Sequence, residues 1–386
     1  MTKAKFADLE AELHTRAAGI AQCSDFGTSD YRTGLQFLLR AFDQDTTFTE
    51  VGADFAYGTV MAILVARLYT QRGFAGAPPA HAPPIREPLV ITGIPRTGTT
   101  ALHKLLSMDP QFQGLEHWLA DYPMIRPPRS TWPANPAFQA SRAGLEAFFV
   151  AMPQLRKAHD MVADEVGECL DILRQSFVSN RFGAGIHVPS YDEWFFAQSE
   201  MPSYQRYADV LRLIGTAEPG KRWLLKNPGH VAQLEALFTV FPDARVIHTH
   251  RDPVAAIPSL CSTLYMSRAI YEGENTERRV IGRRECRYWS AALESAAQAR
   301  MRREPQFIDV EHRAFHRDPI GTVRSIYDKF ELSLSSAAEA RMRDWVRADP
   351  TTKHGEHRYD IQSGASPRPL YATLSHSIAS CMRTAE

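Results

Sequence analysis

The stretch that most constrains the fold runs from Pro88 to Lys104 and has the sequence PLVITGIPRTGTTALHK. Leu89 to Thr92 form a short apolar and β-branched run, Gly93 begins a turn, and helix-forming residues resume at Ala101. This order predicts a strand, a tight loop and a helix in direct succession. A strand that passes at once into a helix is typical of the α/β fold class.

The loop between this strand and this helix has the glycine spacing of a phosphate-binding loop. Gly93 and Gly98 stand five apart, but Thr99 occupies the place of the lysine in the pattern G-x-x-x-x-G-K-[ST], and Thr100 follows it. Such loops point successive backbone N–H groups and a helix N-terminus at one anion. Because Arg96 is the fixed cation of this loop, a phosphate or phosphosulfate fits better than a triphosphate. An ordinary strand-to-helix turn is the alternative.

Composition excludes several classes of partner. The 386 residues include 44 Lys plus Arg and 44 Asp plus Glu, so the net charge is zero and gives no support to binding of nucleic acid or acidic membranes. Five cysteines without C-x-x-C spacing fit reduced thiols in a cytoplasmic protein. The N-terminus carries acids and is not a secretory signal. The longest apolar stretch, Val60 to Ala66, is far shorter than the roughly 20 residues that span a bilayer.

Helical spacing of apolar residues dominates the first 80 residues. It predicts helices within residues 3–20, around Leu35 to Phe42, and from Ala56 to Gln71. The segment Gly73 to Pro88, GFAGAPPAHAPPIREP, predicts a linker without helix. Residues 1–80 are therefore expected to form a helical extension before the first strand.

The segment between the loop and the second long strand is expected to insert mainly helices. Phe112 to Glu116 predicts a short strand, and the proline-rich Tyr122 to Pro136 predicts a surface loop. Helices are predicted at Ala137 to Val150 and at 164–179. Residues 181–203 combine glycines with aromatic residues, which suits either an apolar pocket or an ordinary core contact. The second helix begins with acids that a helix N-terminus favours: Asp164, Glu165 and Glu168.

Three further apolar runs predict strands, at Arg222 to Lys226, Ala244 to Thr249 and Phe307 to Val310. Strands that alternate with helices imply right-handed crossovers and a parallel sheet, whose ligands lie beyond the carboxyl ends of the strands. A ligand with two separated anionic groups would suit these ends. The cations found there are Arg96, Lys226 and Arg251.

These patterns together predict an α/β fold of one domain over residues 1–386. Its centre is a P-loop-type parallel β-sheet flanked by helices, spanning residues 88–360. The helical extension of residues 1–80 precedes this core, and helical insertions interrupt it.

Three segments carry a resemblance to a known family. ITGIPRTGTT, LLKNPGH after the second long strand, and HTHRDPVAAIPS after the third resemble the sulfotransferases that use 3′-phosphoadenosine 5′-phosphosulfate (PAPS), especially the bacterial branch and the tyrosylprotein enzymes. The resemblance covers residues 88–360. It implies that Arg251 and Ser259, at the family's spacing of eight, hold the 3′-phosphate. It also implies that the 5′-phosphosulfate is held by Arg96, Thr97, Gly98, Thr99 and Thr100.

The resemblance also implies catalytic roles. Lys226 matches the strand-end lysine that reaches the leaving sulfate, and the segment 353–359 would correspond to a C-terminal loop that closes on the cofactor. In the family the base is a histidine just after that lysine or a glutamate just after the P-loop helix. We prefer His230 over Glu116, with His117 third, although the spacings here depart slightly from both patterns. A helix-start histidine and a solvated acid are the ordinary alternatives.

The expected activity is transfer of the sulfuryl group from PAPS to a hydroxyl of a small or lipid-like acceptor, with PAP as product. Backbone donors and fixed cations can stabilise such a displacement, so no metal is required. His248 and His250 could ligate a metal, but the sequence offers no third ligand nearby. A P-loop kinase or phosphotransferase and a non-catalytic nucleotide-binding protein are the alternative functions. The sequence leaves open whether the protein forms a homo-oligomer.

Overall fold

A five-stranded parallel sheet forms the centre of the computed structural model, which describes residues 5–153, 156 and 161–348. The spatial order is β2-β3-β1-β4-β5, and every neighbouring pair is parallel. The carboxyl ends of all five strands therefore lie at one edge of the sheet, and the predicted α/β fold is confirmed. The strands are β1 Leu89–Thr92, β2 Phe112–Gly114, β3 Arg222–Lys226, β4 Arg245–His250 and β5 Phe307–Glu311.

Helices precede the sheet, connect its strands and cover both of its faces. In chain order they are α1 Glu10–Ala21, α2 Tyr31–Gln44, α3 Glu50–Gly76, α4 Thr99–Leu106, α5 His117–Asp121, α6 Pro136–Ala151, α7 Leu170–Leu173, α8 Asn180–Gly185, α9 Pro189–Phe196, α10 Met201–Gly215, α11 Leu234–Val240, α12 Pro253–Glu272, α13 Arg278–Met301, α14 His312–Arg317, α15 Pro319–Lys329 and α16 Ser336–Ala348.

The central strand β1 is buried along its whole length, which explains its uninterrupted apolar sequence. Val90 packs into a large core cluster that also contains residues of α1, α2, α3, α12 and α13. Leu89 and Ile91 point to the opposite face and pack into a smaller cluster with residues of α4, α15 and α16. The N-terminal helices therefore share a hydrophobic core with the sheet.

Helix α3 differs from its prediction in length. It begins at Glu50, where the Thr49 Oγ1 accepts a 2.9 Å hydrogen bond from the Gly52 N–H, and it continues to Gly76. The predicted linker thus starts later than the sequence indicated, because Gly73 packs closely on Leu213 and the helix can proceed until Pro78. The segment 79–81 then forms one 3-10 turn.

Helix α3 is also, within the described ranges, the one helix long and apolar enough to cross a membrane. Of its most apolar 18-residue window, 61% is buried inside the protein. Packing against α1 and α12 in the core therefore accounts for its apolar composition.

The proline-rich segment 122–136 runs over the surface, as the sequence predicted, but some of its side chains are buried. Trp132 is buried and packs edge-on against Trp118 at a centroid distance of 5.4 Å. Arg126 is buried too, since Glu116 and Glu218 pair with its guanidinium. Proline excludes regular helix here but does not exclude burial when the polar groups find partners.

Residues 181–203 form α8, α9 and the start of α10. Tyr191 and Phe195 are buried in the large core cluster, with their rings stacked at 6.1 Å. The Tyr191 hydroxyl donates to the Phe177 carbonyl at 2.7 Å. Of the two interpretations of this aromatic segment, the structure shows the core contact.

The close approach of α3 to α12 predicts opposite effects for two glycines of one helix. A Cβ at Gly52 would lie 2.1 Å from the Tyr271 carbonyl oxygen, whereas a Cβ at the exposed Gly58 would meet nothing within 4 Å. Gly52→Ala should therefore lower the free energy of unfolding by about 2–3 kcal/mol. Gly58→Ala should raise it by about 0.5–1 kcal/mol. Urea denaturation measures both, and equal effects would contradict the packing described.

Candidate active site

The loop after β1 is fixed by close contacts with the end of β4. Gly93 has φ 144°, and a Cβ there would lie 2.4 Å from the Thr249 carbonyl oxygen, so only glycine fits. The Thr97 hydroxyl bonds to the Ile94 carbonyl at 2.7 Å and to the Thr249 hydroxyl at 2.6 Å. The loop is thereby held in a tight curl at the carboxyl edge of the sheet.

Helix α4 begins at the end of this loop with no side chain capping it. Gly98 is the cap residue, with φ 90°, and Thr99 is buried in the first turn. The first N–H groups of α4 therefore have no side-chain acceptor among the described residues, which is the arrangement that binds an anion.

Two predicted cationic sites meet beside the loop. The Arg96 Nε donates to the Ser259 Oγ at 3.3 Å, and the Arg251 Nη1 donates to the Arg96 carbonyl at 3.1 Å. The structure thus brings together three residues that lie as many as 163 positions apart in sequence. Neither arginine forms an ion pair with any carboxylate that the structure describes. Burial and, second, the charge of Arg251 lower the pKa of Arg96, which an anion bound between the two guanidinium groups would counteract.

Lys226 ends β3 and is 2% exposed. Its Nζ donates to the Glu168 Oε1 at 2.6 Å and to the Thr100 Oγ1 at 3.3 Å. A buried ammonium needs a counter-ion, and Glu168 supplies it. The ammonium therefore lies between the first turn of α4 and a carboxylate.

The predicted role of Glu168 as a charge at a helix N-terminus is wrong. Helix α7 begins at Leu170 with Cys169 as its cap, and no side chain caps it. The Cys169 N–H donates to the Lys226 carbonyl at 2.9 Å, and the Gly167 N–H donates to the Leu115 carbonyl at 2.7 Å. The backbone around Glu168 is thus attached to the ends of β2 and β3, which directs its carboxylate to Lys226.

His230 is fully buried in the 3-10 turn 228–233 that follows β3. Its Nδ1 shares a 2.7 Å hydrogen bond with the Tyr204 hydroxyl, while its Nε2 has no hydrogen-bond partner among the residues described. Burial lowers the pKa of His230 to about 3, so the ring is neutral near pH 7. The one polar atom it can still offer is Nε2.

Glu116 and His117 belong to a separate network. The Glu116 carboxylate pairs with Arg126 at 2.9 Å, and burial raises its pKa. His117 lies 3.5 Å from Asp121, one helical turn further on. Within the described ranges neither side chain bonds to Lys226 or to residues 93–100. Their backbone, however, pairs with residues 165–167, directly before Glu168.

A cavity of about 530 Å³ adjoins Glu116 and Arg126 and extends to Lys104 and Trp132. No residue of the loop 93–100 lines it, nor do Lys226 and Arg251. It is consequently a feature of the β2 side of the sheet and not of the cation cluster.

The third metal ligand that the sequence did not reveal is present on the neighbouring strand. The ligand atoms of His248, His250 and Asp309 lie within 4.8 Å of one another. Arg300, however, binds both carboxylate oxygens of Asp309 at 2.6 and 2.8 Å, and His250 bonds to one of them at 2.5 Å. Since the carboxylate charge is already paired, we interpret the cluster as an ion-pair network.

A loop that presents N–H groups, two arginines and a buried lysine at one sheet edge is suited to bind a phosphate or sulfate group and to stabilise its transfer. Residues 88–336 match the family model described as "Sulfotransferase family", and the chain belongs to that family. It is a sulfotransferase, as the resemblance predicted.

Solved structures agree with this assignment. Sulfotransferase STF1 from Mycobacterium tuberculosis H37Rv is 37% identical, with a TM-score of 0.78 over 88% of this chain and 94% of that chain. Sulfotransferase STF9 from Mycobacterium avium is 25% identical, with a TM-score of 0.80 over 100% of this chain and 97% of that chain. A curated relative, the omega-hydroxy-beta-dihydromenaquinone-9 sulfotransferase Stf3 of Mycobacterium bovis, is 22% identical over 301 residues, 72% of this chain and 71% of Stf3.

A buried carboxyl, Glu200, is bonded to the 3-10 turn that contains His230. Glu200 is fully buried and accepts one 3.0 Å hydrogen bond from the Gln233 amide, and burial raises the pKa of Glu200 to about 8. Near pH 7 Glu200 is therefore mostly protonated and His230 is neutral, while Lys226 and Glu168 form an ion pair.

The raised pKa of Glu200 predicts a pH-dependent stability. A carboxyl that titrates near 8 when folded but near 4.3 when unfolded stabilises the fold fully below about pH 4, and this contribution is lost as the pH rises through 8. Between pH 5 and pH 9 the parent protein should lose about 4 kcal/mol more than Glu200→Gln. Denaturant unfolding at several pH values measures this difference. The exposed Glu193→Gln is the control, and parallel curves for the parent and Glu200→Gln would contradict the assignment.

Proposed function

We propose that this sulfotransferase moves the sulfuryl group of PAPS to the hydroxyl of a lipid-like acceptor. The observation that carries the proposal is the meeting of Arg96, Arg251 and Ser259 at an uncapped helix start. PAPS has two anionic groups at a fixed separation, the 5′-phosphosulfate and the 3′-phosphate. A site with two guanidinium groups and a row of N–H donors matches that pattern.

The donor is assigned to two subsites. The 5′-phosphosulfate would lie in the loop and on the start of α4, and the 3′-phosphate would lie against Arg251 and Ser259. A nucleoside triphosphate fits less well, because Thr99 replaces the P-loop lysine that holds β- and γ-phosphates. Residues assigned to the phosphosulfate are Arg96, Thr97, Gly98, Thr99 and Thr100.

The transfer is an in-line displacement at sulfur. The acceptor oxygen forms a bond to sulfur while the bond from sulfur to the bridging oxygen breaks, and PAP leaves with the electron pair of that bond. Lys226 is assigned to the leaving oxygen, because its buried ammonium lies beside Thr100 at the start of α4. In a water-poor site a fixed cation stabilises the developing charge strongly, so we propose that no metal is needed.

The proton of the acceptor hydroxyl is assigned to Glu168. Both acids are paired with a cation, but the partner of Glu168 is Lys226, at 2.6 Å, which is assigned to the leaving oxygen, whereas the partner of Glu116 is Arg126, which has no assigned role in the transfer. The low pKa of His230, about 3, makes its ring a weak base, although its Nε2 can still bond to a hydroxyl. We therefore place Glu168 before His230, and His230 before Glu116 and His117.

We also propose that the acceptor is a lipid-like alcohol and that the protein acts in the cytoplasm. The name of the relative Stf3 gives its acceptor as a hydroxylated menaquinone, which supports a lipid-like alcohol for this chain as well. Cys169 is buried as a thiol that accepts a 3.0 Å hydrogen bond from Tyr207, which suits a reducing cytoplasm. A net charge of zero supports a small-molecule acceptor over nucleic acid.

A thermal-shift comparison of PAP, ATP and GTP tests the proposed function. A ligand that binds only the native state at 100 times its Kd stabilises it by about 2.7 kcal/mol. PAP should raise the melting temperature, while ATP and GTP with Mg²⁺ should raise it much less. Stabilisation by ATP or GTP without an effect of PAP would support a kinase or a nucleotide-binding protein instead.

Arg251→Ala tests the 3′-phosphate subsite. Loss of a charge-assisted contact should weaken PAP binding by about 10- to 100-fold and leave adenosine 5′-phosphosulfate, which lacks the 3′-phosphate, within a few-fold. Calorimetric titration gives both affinities, and the exposed Arg317→Ala is the matched control. Equal losses for both ligands would remove Arg251 from this role.

Glu168→Gln tests the base. Because the proton transfer is needed only in the transition state, kcat should fall by about 100-fold or more while PAP affinity stays within a few-fold. Glu165→Gln is the matched control, since Glu165 is an acid three residues away that pairs with Lys104 instead. If Glu168→Gln retained parental kcat and His230→Gln lost it, the base would be His230.

A further inference from the structure

The turn that contains His230 is attached to the carboxyl edge of the sheet. His230 follows Lys226, the last residue of β3, by four positions. The Thr92 hydroxyl at the end of β1 donates to the Asn227 carbonyl at 3.0 Å, which fixes the start of the turn 228–233. The imidazole of His230 is therefore held at the same edge as the loop after β1 and the ammonium of Lys226.

Tyr207 connects this imidazole to the segment that carries the ion pair. The rings of His230 and Tyr207 have their centroids 5.8 Å apart, and the Tyr207 hydroxyl donates to the Cys169 Sγ at 3.0 Å. Cys169 directly follows Glu168, and its N–H donates to the Lys226 carbonyl at 2.9 Å. The ring of His230 thus packs against the side chain that braces the backbone of this ion pair.

The hydroxyl of Tyr204 determines which ring nitrogen of His230 carries the proton. Tyr204 is buried, and its hydroxyl has one hydrogen-bond partner among the described residues, the His230 Nδ1 at 2.7 Å. If Nδ1 carried the proton, it would donate to the phenol oxygen, and both the phenol O–H and the bare Nε2 would be left without partners. If the phenol donates to Nδ1 instead, the Nε2–H is the one group left unpaired.

The cost of an extra unpaired group favours the second arrangement. Leaving one more buried polar group unsatisfied disfavours a tautomer by roughly 5- to 150-fold in population. Because burial lowers the pKa of His230 to about 3, the ring is neutral near pH 7 and exists as one of these two tautomers. A neutral imidazole protonated on Nε2 has no lone pair there with which to accept a proton.

We propose that Tyr204 is a positioning residue that holds His230 as an Nε2–H donor, and that this N–H binds a reacting oxygen instead of removing the acceptor proton. The N–H has no partner among the described residues, and a bound oxygen would supply one. Both the sulfuryl oxygens, on which charge develops, and the acceptor hydroxyl oxygen offer the lone pair required. The inference rests on the proposed sulfuryl transfer and leaves the proton to Glu168.

Long-range 1H–15N NMR of the full chain labelled with 15N-histidine observes the tautomer directly, before any ligand is added. Protonated and bare ring nitrogens give clearly separated 15N signals. For His230 we expect a protonated Nε2 and a bare Nδ1, and the signals are assigned by their absence from the spectrum of His230→Gln. A proton on Nδ1 of the parent protein would overturn the inference.

Tyr204→Phe removes the phenol O–H and keeps the ring. Since neither nitrogen of His230 then has a partner, the Nε2–H population should fall from nearly complete to about half, and kcat/KM should fall by about 2- to 5-fold. Tyr207→Phe is the matched control, because its ring lies 5.8 Å from His230, against 5.6 Å for Tyr204, while its hydroxyl bonds to Cys169. An unchanged tautomer in Tyr204→Phe would remove Tyr204 from this role.

His230→Gln and His230→Leu separate a donor from a base. Glutamine retains an N–H donor, whereas leucine does not, so kcat/KM should fall by about 100-fold or more in His230→Leu and stay within about 10-fold of the parent in His230→Gln. PAP affinity should stay within a few-fold in both. A loss in kcat would assign the N–H to a sulfuryl oxygen, and a rise in the acceptor KM would assign it to the acceptor oxygen.

The pH profile provides the contrary outcome. Because His230 does not titrate near neutral pH, His230→Gln should keep the acid limb of the parent profile of kcat/KM. Equal losses in the glutamine and leucine variants, together with disappearance of that limb, would show that His230 is the base and contradict the inference. Failure of the parent protein to transfer sulfate from PAPS would overturn the proposed function instead, and the tautomer is measured independently of that result.

Discussion

Parallel pairing of the strands is the constraint on which the site depends. It places the ends of β1, β3 and β4 side by side, and with them Arg96, Lys226 and Arg251. Positive groups at one edge repel one another, and the fold tolerates them through fixed backbone contacts such as the Arg251 donation to the Arg96 carbonyl. The electrostatic cost that remains is what an anionic ligand can relieve. The positive groups that would bind an anionic ligand are therefore the same groups whose mutual repulsion costs the fold free energy when no ligand is bound.

Lys226 is one of these positive groups, and its surroundings both bury its ammonium and fix its position. Its ammonium is buried beside Thr100 and pairs with Glu168, while the nearby His230 is neutral. Because this ammonium is buried, its interaction with a developing anion is stronger than it would be at a surface. The ion pair with Lys226 also fixes the position of the Glu168 carboxylate, which we propose as the proton acceptor.

The sequence predicted the parts of the site that are local. The loop, Lys226 and Arg251 each follow an apolar strand directly, so the strand pattern alone placed them at one edge. It could not reveal Glu168, which lies 58 residues from Lys226 and resembles any acid before a helix. The acid becomes recognisable only because the backbone at Cys169 bonds to Lys226.

The length of α3 and the burial of Trp132 were also outside what local pattern could give, because both depend on partners from distant segments. The expected C-terminal loop at 353–359 lies outside the residues described, so its role stays a prediction.

The most direct test of the central claim is a transfer assay with PAPS labelled with radioactive sulfur and a long-chain primary alcohol. We expect the label to appear in a sulfate ester of the alcohol, in equal amount to the PAP released, without added metal and without dependence on ATP. Label that stays in PAPS while PAP binds normally, or transfer of phosphate from labelled ATP to the same alcohol, would contradict the account.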